Sequence, residues 1–139
     1  SYVYLKNERD VKTFTSKNKD TVTLTAQWTA NKFTITYKKN SDSAKGTMSD
    51  QTVTYNKSKT LTANKFTRSG YTFKNWKVYS SVNKKYLAKN KDGKKVWASK
   101  KTITDKGYTY VYLANKAEVK TLSTTNNDKI TLYAQWKKK

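Results

Sequence analysis

The residue types that carry most enzyme chemistry are scarce in this sequence. The chain of 139 residues contains no cysteine and no histidine. Thiol nucleophiles, disulfides, Cys/His zinc sites and histidine general bases are therefore excluded. Nine acidic side chains remain, but a glycosidase needs two carboxylates that face one cleft, and Asp20 and Asp128 each precede an alternating segment, as turn residues do. We predict no enzymatic activity, no catalytic residue, no cofactor and no metal site.

Lysine dominates the charge of the chain. Thirty basic residues against nine acidic ones give a formal net charge of +21, and only Arg9 and Arg68 are arginines. Because base readout and bidentate phosphate recognition favour arginine, a lysine coat predicts salt-sensitive attraction to any polyanion. The alternative is that lysine keeps the protein soluble and its strand edges unpaired, or reflects drift in composition. The sequence leaves both interpretations, polyanion contact and solubility or drift, open.

The densest lysine clusters surround the dipeptide Asp92-Gly93, which indicates an exposed turn. One tryptophan lies among them, so this region is the best candidate for contact with a polyanion. The candidate contact residues are Lys84, Lys85, Lys89, Lys91, Lys94, Lys95, Trp97, Lys100 and Lys101. A binding role predicts lysines concentrated on one face around residues 84–101, whereas a solubility role predicts an even spread.

The four tryptophans allow two interpretations. With the eleven tyrosines they could form a platform on which sugars stack, and basic patches with aromatics also occur on proteins that bind single-stranded nucleic acid. Trp76 and Trp136, however, end alternating rows of apolar residues, as core residues of a small domain do. We therefore expect these two to be buried, and we expect Trp97 to be the better candidate for an exposed contact.

An internal repeat organises the chain. Residues 2–28 and 110–136 align without a gap at an offset of 108, and 15 of the 27 positions are identical. Such self-similarity is the signature of a tandem array. We predict that residues 1–28 are the C-terminal end of a preceding repeat, that 29–136 form one complete unit of 108 residues, and that 137–139 are a tail or the start of a linker. Counting the unit as 2–109 is the alternative phase.

Period-2 alternation is strong along the unit and predicts a β-rich fold. The segments 33–37 and 53–55 should pair as a hairpin with a long loop, and 130–136 should form a further strand. After Phe73 the apolar positions change parity, which predicts a β-bulge near Lys74-Asn75. Gly70 and Gly107 each precede an aromatic run and predict positive-φ turns. A short helix is expected at most, within 114–124 or near 96–103.

Three separated motifs resemble the Listeria–Bacteroides repeat, also called the internalin B-repeat family. They are GTM followed by Q-V-Y (46–55), the F-x-R-x-GYTF-x-x-W core (66–76) and the closing LYAQW (132–136). The sequence departs from the family where lysine-rich residues 38–45 replace a glycine-rich turn, and in the long lysine-rich stretch between Trp76 and Ile130. It is therefore identified as a long, lysine-rich variant.

The resemblance implies a small β-grasp-like (ubiquitin-like) domain, a β-rich α+β fold with mostly antiparallel strands. It also implies a non-enzymatic module, repeated in tandem on a surface or secreted protein of a Gram-positive-like bacterium. Such modules act as stalks, spacers and adhesion modules. The expected partners are neighbouring repeats and either an anionic polysaccharide, such as a host glycosaminoglycan, or a teichoic-acid-like wall polymer.

Two rival functions remain for the same features. One is sequence-independent binding of nucleic acid such as extracellular DNA, and the other is an inert spacer. Insertion into a membrane is not expected, since no run approaches the roughly 18 apolar residues that a spanning helix needs.

Overall fold

The computed structural model describes residues 1–139, and all of its helices and strands lie between Lys32 and Lys138. The strands are β1 (Lys32–Lys38), β2 (Ala44–Lys45), β3 (Gln51–Thr54), β4 (Lys59–Thr60), β5 (Thr67–Arg68), β6 (Tyr71–Ser80), β7 (Lys85–Lys89), β8 (Lys95–Ala98), β9 (Thr109–Tyr110), β10 (Tyr112–Leu113), β11 (Glu118–Val119) and β12 (Asp128–Lys138). One short helix, α1 (Lys100–Lys106), lies between β8 and β9. It is neither long nor apolar enough to cross a membrane.

An eight-stranded sheet forms the body of the domain. Its strands follow the order β3-β1-β12-β6-β7-β8, with β10 paired to β6 and β9 paired to β7. The first and last strands, β1 and β12, run parallel at its centre, and all other pairs are antiparallel. A β-rich, mostly antiparallel fold with one short helix is confirmed.

The predicted hairpin forms between β1 and β3. Phe33 is opposite Val53 and Ile35 is opposite Gln51 in an antiparallel register. In β1 the apolar residues alternate with threonines, and Phe33, Ile35 and Tyr37 are the ones that face the core. The two-residue strand β2 lies within the long connection and pairs with β5.

The main core lies on one face of the sheet around Trp76, which has no exposed surface. Its ring lies edge-on to Tyr37 at 5.1 Å between centroids and tilted against Phe73 at 4.7 Å. Aromatic pairs in such arrangements each contribute about 0.5–1.5 kcal/mol beyond the area they bury. The expectation that Trp76 is buried is confirmed. Trp136 is half-buried against the same core, and its Nε1 donates to the carbonyl of Lys39 at 2.8 Å.

The predicted β-bulge is present in β6. Asn75 is opposite Gln135 on β12, but the next pair along is Phe73 with Trp136, so Lys74 has no partner. One extra residue on β6 shifts the alternation of side chains between the faces. This bulge explains why the apolar positions change parity after Phe73.

Asp128 has a structural role that differs from the predicted one. It does not lie in the turn, which is formed by residues 126–127, but begins β12 and is fully buried. Its carboxylate accepts hydrogen bonds from Ser80 Oγ at 2.9 Å, Ser123 Oγ at 2.7 Å and the Val82 amide at 3.3 Å. These bonds join the start of β12 to the end of β6 and to the preceding loop.

The helix α1 is defined by its caps. Ser99 accepts a hydrogen bond from the amide of Thr102 at 3.1 Å, and Gly107 ends the helix at φ 65°. Ser at the N-cap and a left-handed Gly after the last turn are typical helix boundaries. The helix overlaps the predicted location near 96–103. The other predicted location, 114–124, contains β11 instead. Positive φ at Gly70, 79°, and at Gly107 is confirmed.

Residues 1–28 lie outside the packed domain and contain no helix or strand. Apolar side chains that would be buried in a strand are exposed here, with Leu24 at 69% and Trp28 at 90%. At the offset of 108, Trp28 corresponds to Trp136 and Asp20 to Asp128. Residues 20–28 thus resemble residues 128–136 of β12 in sequence but lack the strands that flank β12.

Candidate ligand-binding surfaces

The lysines predicted to contact a polyanion lie on the β7–β8 hairpin and on α1. Leu87 of β7 is opposite Trp97 of β8, and Lys89 is opposite Lys95. Strand alternation puts Lys85, Lys89 and Lys95 on the side of the hairpin that Leu87 and Trp97 share. The other positions are Lys84 before β7, Lys91 and Lys94 in the β7–β8 turn, and Lys100 and Lys101 in α1.

Helix α1 packs on the opposite side of that hairpin. Its Ile103 is buried against Ala88 of β7 and Ala98 of β8 in a second, smaller core. Lys100 and Lys101 therefore belong to a different face from Lys85, Lys89 and Lys95. The structure brings the predicted residues together along one edge of the sheet but divides them between its two faces. The concentration on one face that a binding role of residues 84–101 predicts is therefore not found.

Trp97 is half-buried and packs against the main core. Its position opposite the buried Leu87 explains this, because paired residues on adjacent strands point to the same face. Trp97 thus lies between the main core and the lysines of the hairpin, and it is only partly exposed to solvent.

The face of the sheet opposite the main core has a second set of aromatic residues. Strand pairing places Lys38 of β1, Tyr133 of β12, Lys77 of β6 and Tyr112 of β10 side by side in one row. We call these four residues and the adjacent Tyr79, Tyr86 and Tyr110 the tyrosine–lysine face.

The rings of the tyrosine–lysine face pack against one another at steep angles. Tyr79 and Tyr86 are 4.9 Å apart between centroids and tilted by 53°, and Tyr86 is perpendicular to Tyr110 at 5.6 Å. Tyr133 contacts Tyr79 at 6.3 Å. All are half-buried except Tyr112, which is 43% exposed. Burial, followed by the neighbouring Tyr86, raises the pKa of Tyr110 and of Tyr133.

Lys77 is the central cation of this face. Its Nζ lies 4.0 Å from the centroid of the Tyr110 ring and 5.9 Å from that of Tyr86. Cation–π attraction of about 0.5–2 kcal/mol holds an ammonium in such a position. Burial and, secondarily, the charge of Lys100 lower the pKa of Lys77. Both causes oppose the charged form, and no carboxylate lies within ion-pairing distance of it.

The sequence analysis located the aromatic run that follows Gly107, to which Tyr110 belongs, but not its partners Lys38, Lys77, Tyr79 and Tyr133. The signal available was alternation: Trp76 and Val78 are apolar core residues, so Lys77 and Tyr79 must face the other way. Which residues lie beside Lys77 depends on the order and register of the strands, and the sequence does not specify either.

A shallow cavity of about 460 Å³ lies at the other end of β6 and β12. It is formed mostly by residues of the F-x-R-x-GYTF-x-x-W and LYAQW motifs. Arg68 stacks on the ring of Tyr71 at 3.6 Å and donates from Nε to Ser43 Oγ at 2.9 Å. Phe66, Phe73 and Trp136 also line it. The motif residues thus converge in space, and Phe66, Phe73 and Trp136 also pack in the core that contains Trp76.

Charge compensation within the chain is slight. The single ion pair joins Lys101 to Asp105 within α1 and is exposed at both ends. Pairs of this kind contribute about 0.2–1 kcal/mol or less. The chain also contains no cluster of three acidic, Cys or His side chains that could hold a metal ion. Apart from Lys101, the lysines of the surface therefore have no acidic side chain within ion-pairing distance.

Comparison with known protein families, curated proteins and solved structures found no significant match to this chain.

Proposed function

We propose that this chain is a non-enzymatic tandem-repeat module of an extracellular bacterial surface or secreted protein. It acts as a stalk or spacer and as an adhesion module, whose basic surface holds anionic cell-wall polymers or host glycosaminoglycans. The proposal is supported by the 108-residue repeat, the net charge of +21, the resemblance of three motifs to the internalin B-repeat and, above all, the placement of the two terminal strands.

The parallel pairing of β1 and β12 is the observation that carries the stalk role. Six consecutive residue pairs, from Phe33 with Asp128 to Lys38 with Tyr133, join the first strand to the last. A pull on the two ends of the unit moves parallel neighbours past each other. Their hydrogen bonds are then loaded together in shear and do not break one after another.

The repeat also implies a short connection between units. At the offset of 108, Ala30 corresponds to Lys138, where β12 ends, and β1 begins at Lys32. If the preceding unit folds in the same way, a single residue separates its last strand from β1. Such a connection transmits tension from one sheet to the next with little slack.

Pulling direction is therefore expected to decide the mechanical strength of the unit. Cysteine handles are convenient because the chain has no other cysteine. In single-molecule force measurements, Lys32→Cys with Lys138→Cys loads the β1–β12 pair in shear. Lys32→Cys with Thr54→Cys pulls apart the paired ends of the β1–β3 hairpin. We expect a several-fold higher unfolding force in the first geometry, and equal forces would contradict the stalk role.

Repetition should convert weak contacts into adhesion. One unit and a three-unit array are compared for retention on heparin, purified anionic wall polymer and single-stranded DNA over a salt series. We expect retention of the array on a polysaccharide matrix to survive about 0.15 M salt, where screening acts over about 8 Å, and to rise steeply with copy number. Preferential retention on DNA would favour the nucleic-acid alternative. Weak, equal retention that vanishes at this salt concentration would leave an inert spacer.

A further inference from the structure

The tyrosine–lysine face alternates cations and aromatic rings across four adjacent strands. The row runs from Lys38 through Tyr133 and Lys77 to Tyr112. Neighbouring strands are about 4.8 Å apart, so the two lysine positions are separated by about twice that distance, with a tyrosine between them. Anionic groups carried by alternate sugars of a polysaccharide recur at a comparable interval.

Lys77 is placed to receive an anion. It is half-buried, it leans on the rings of Tyr110 and Tyr86, and Lys100 adds a second positive charge to its surroundings. A partly desolvated ammonium without a counter-charge is unfavourable. A carboxylate or sulfate group of a ligand beside Lys77 supplies the negative charge that the chain itself does not provide.

The ring geometry favours sugars over nucleic-acid bases. Base stacking needs open, flat ring faces, but the rings here are inclined to one another by 44–90°. One face of Tyr110 is already covered by the Lys77 ammonium. Inclined tyrosines instead offer ring edges and hydroxyl groups, and a phenolic hydroxyl both donates and accepts. The phenolic hydroxyls suit the many hydroxyl groups of a pyranose.

From this arrangement we infer that the tyrosine–lysine face is a binding site for an anionic polysaccharide with charged groups on alternate sugars. Lys38, Lys77 and Lys100 hold the anionic groups, and Tyr133 and Tyr112 contact the sugars between them. The inference rests on the proposed function, which it makes specific: adhesion depends on this face and not only on the total charge.

The test compares two variants of equal charge. Lys38→Gln with Lys77→Gln removes two cations from the face, and Lys89→Gln with Lys95→Gln removes a cross-strand pair from the hairpin. Binding of a heparin oligosaccharide to the whole chain is measured by calorimetry near physiological salt. We expect the first variant to lose affinity about tenfold or more, because two charge-assisted contacts to the anionic groups of the ligand are removed. We expect the second to lose much less.

A second pair of substitutions tests the aromatic contacts while keeping the fold. Tyr133→Phe removes only a hydroxyl, and Tyr112→Ser removes the most exposed ring of the face. Both are expected to weaken binding without changing its salt dependence, because no charge is altered. Thermal unfolding of every variant checks that the domain remains folded.

Each outcome has one meaning. Equal losses in the two lysine variants, with wild-type binding intact, would overturn the assignment of this face but leave adhesion by general charge in place. No binding of the wild-type array to any polysaccharide would overturn the adhesive function itself. Tighter binding of a DNA oligonucleotide that depends on the same lysines would replace the polysaccharide by a nucleic acid.

Discussion

Replacement of Trp76 by alanine is expected to destabilise the domain by about 3–5 kcal/mol, as large aromatic truncations in cores do. Trp76 has no exposed surface, and the rings of Tyr37, Phe66 and Phe73 all pack against it. Domains of this size have a total stability of about 5–15 kcal/mol. The variant should therefore be only marginally folded, and chemical denaturation should show a lower midpoint.

Two further tryptophan variants separate loss of packing from loss of a polar group. The Nε1 of Trp76 is buried without a hydrogen-bond partner. Trp76→Phe therefore loses no hydrogen bond, and we expect a smaller cost of about 1–2 kcal/mol from the lost volume alone. Trp28, which is 90% exposed, is the matched control, and Trp28→Ala should change stability by at most about 0.5 kcal/mol. Similar effects at Trp28 and Trp76 would contradict the assignment of the core.

Replacement of Asp128 by alanine is expected to cost about 2–4 kcal/mol. The buried carboxylate accepts from Ser80, Ser123 and the Val82 amide. Its removal leaves the buried hydroxyls of Ser80 and Ser123 and the partly buried Val82 amide without this acceptor, and each unsatisfied buried group carries a desolvation cost of about 1–3 kcal/mol. The serines can rotate toward other acceptors, so the sum is smaller than three full penalties. Denaturant unfolding measures the effect directly.

The repeat supplies the control for this prediction. Asp20 occupies the position that corresponds to Asp128 but is exposed. Asp20→Ala removes the same charge, and we expect a change of at most about 0.5 kcal/mol. Asp128→Asn retains the shape and one acceptor, and it should fall between the two. If the Asp20 and Asp128 variants were equally stable, the hydrogen-bond network would have no part in holding β12 to β6.

Local features of the fold were predictable because they depend on residues close together in the chain. Alternation located β1, β3 and β12, and the parity change after Phe73 located the bulge. The helix was placed only roughly, although Ser99 and Gly107 mark its ends. The sequence predicts a positive-φ turn at Gly107, and the structure confirms this conformation and shows that the residue also ends α1.

Long-range features were not predictable from one sequence. The parallel pairing of β1 with β12 joins residues more than ninety positions apart, and no local pattern encodes it. In the sequence Lys77 is one lysine among many, and only the strand register places Tyr133 and Tyr112 beside it. Conversely, the lysines of 84–101 are adjacent in sequence, but a hairpin and a helix direct them to two faces. A site whose residues come from neighbouring strands can therefore be recognised only when the strand order is known.

The late position of β12 in the chain has a consequence for the order of folding. This strand lies between β1 and β6 at the centre of the sheet, and it contributes the buried residues Ile130, Leu132 and Ala134. A chain synthesised from its N-terminus has no complete core until these final residues are free. Closing so large a loop is slow, so we expect the newly made chain to stay unfolded, and open to proteases, until β12 is available.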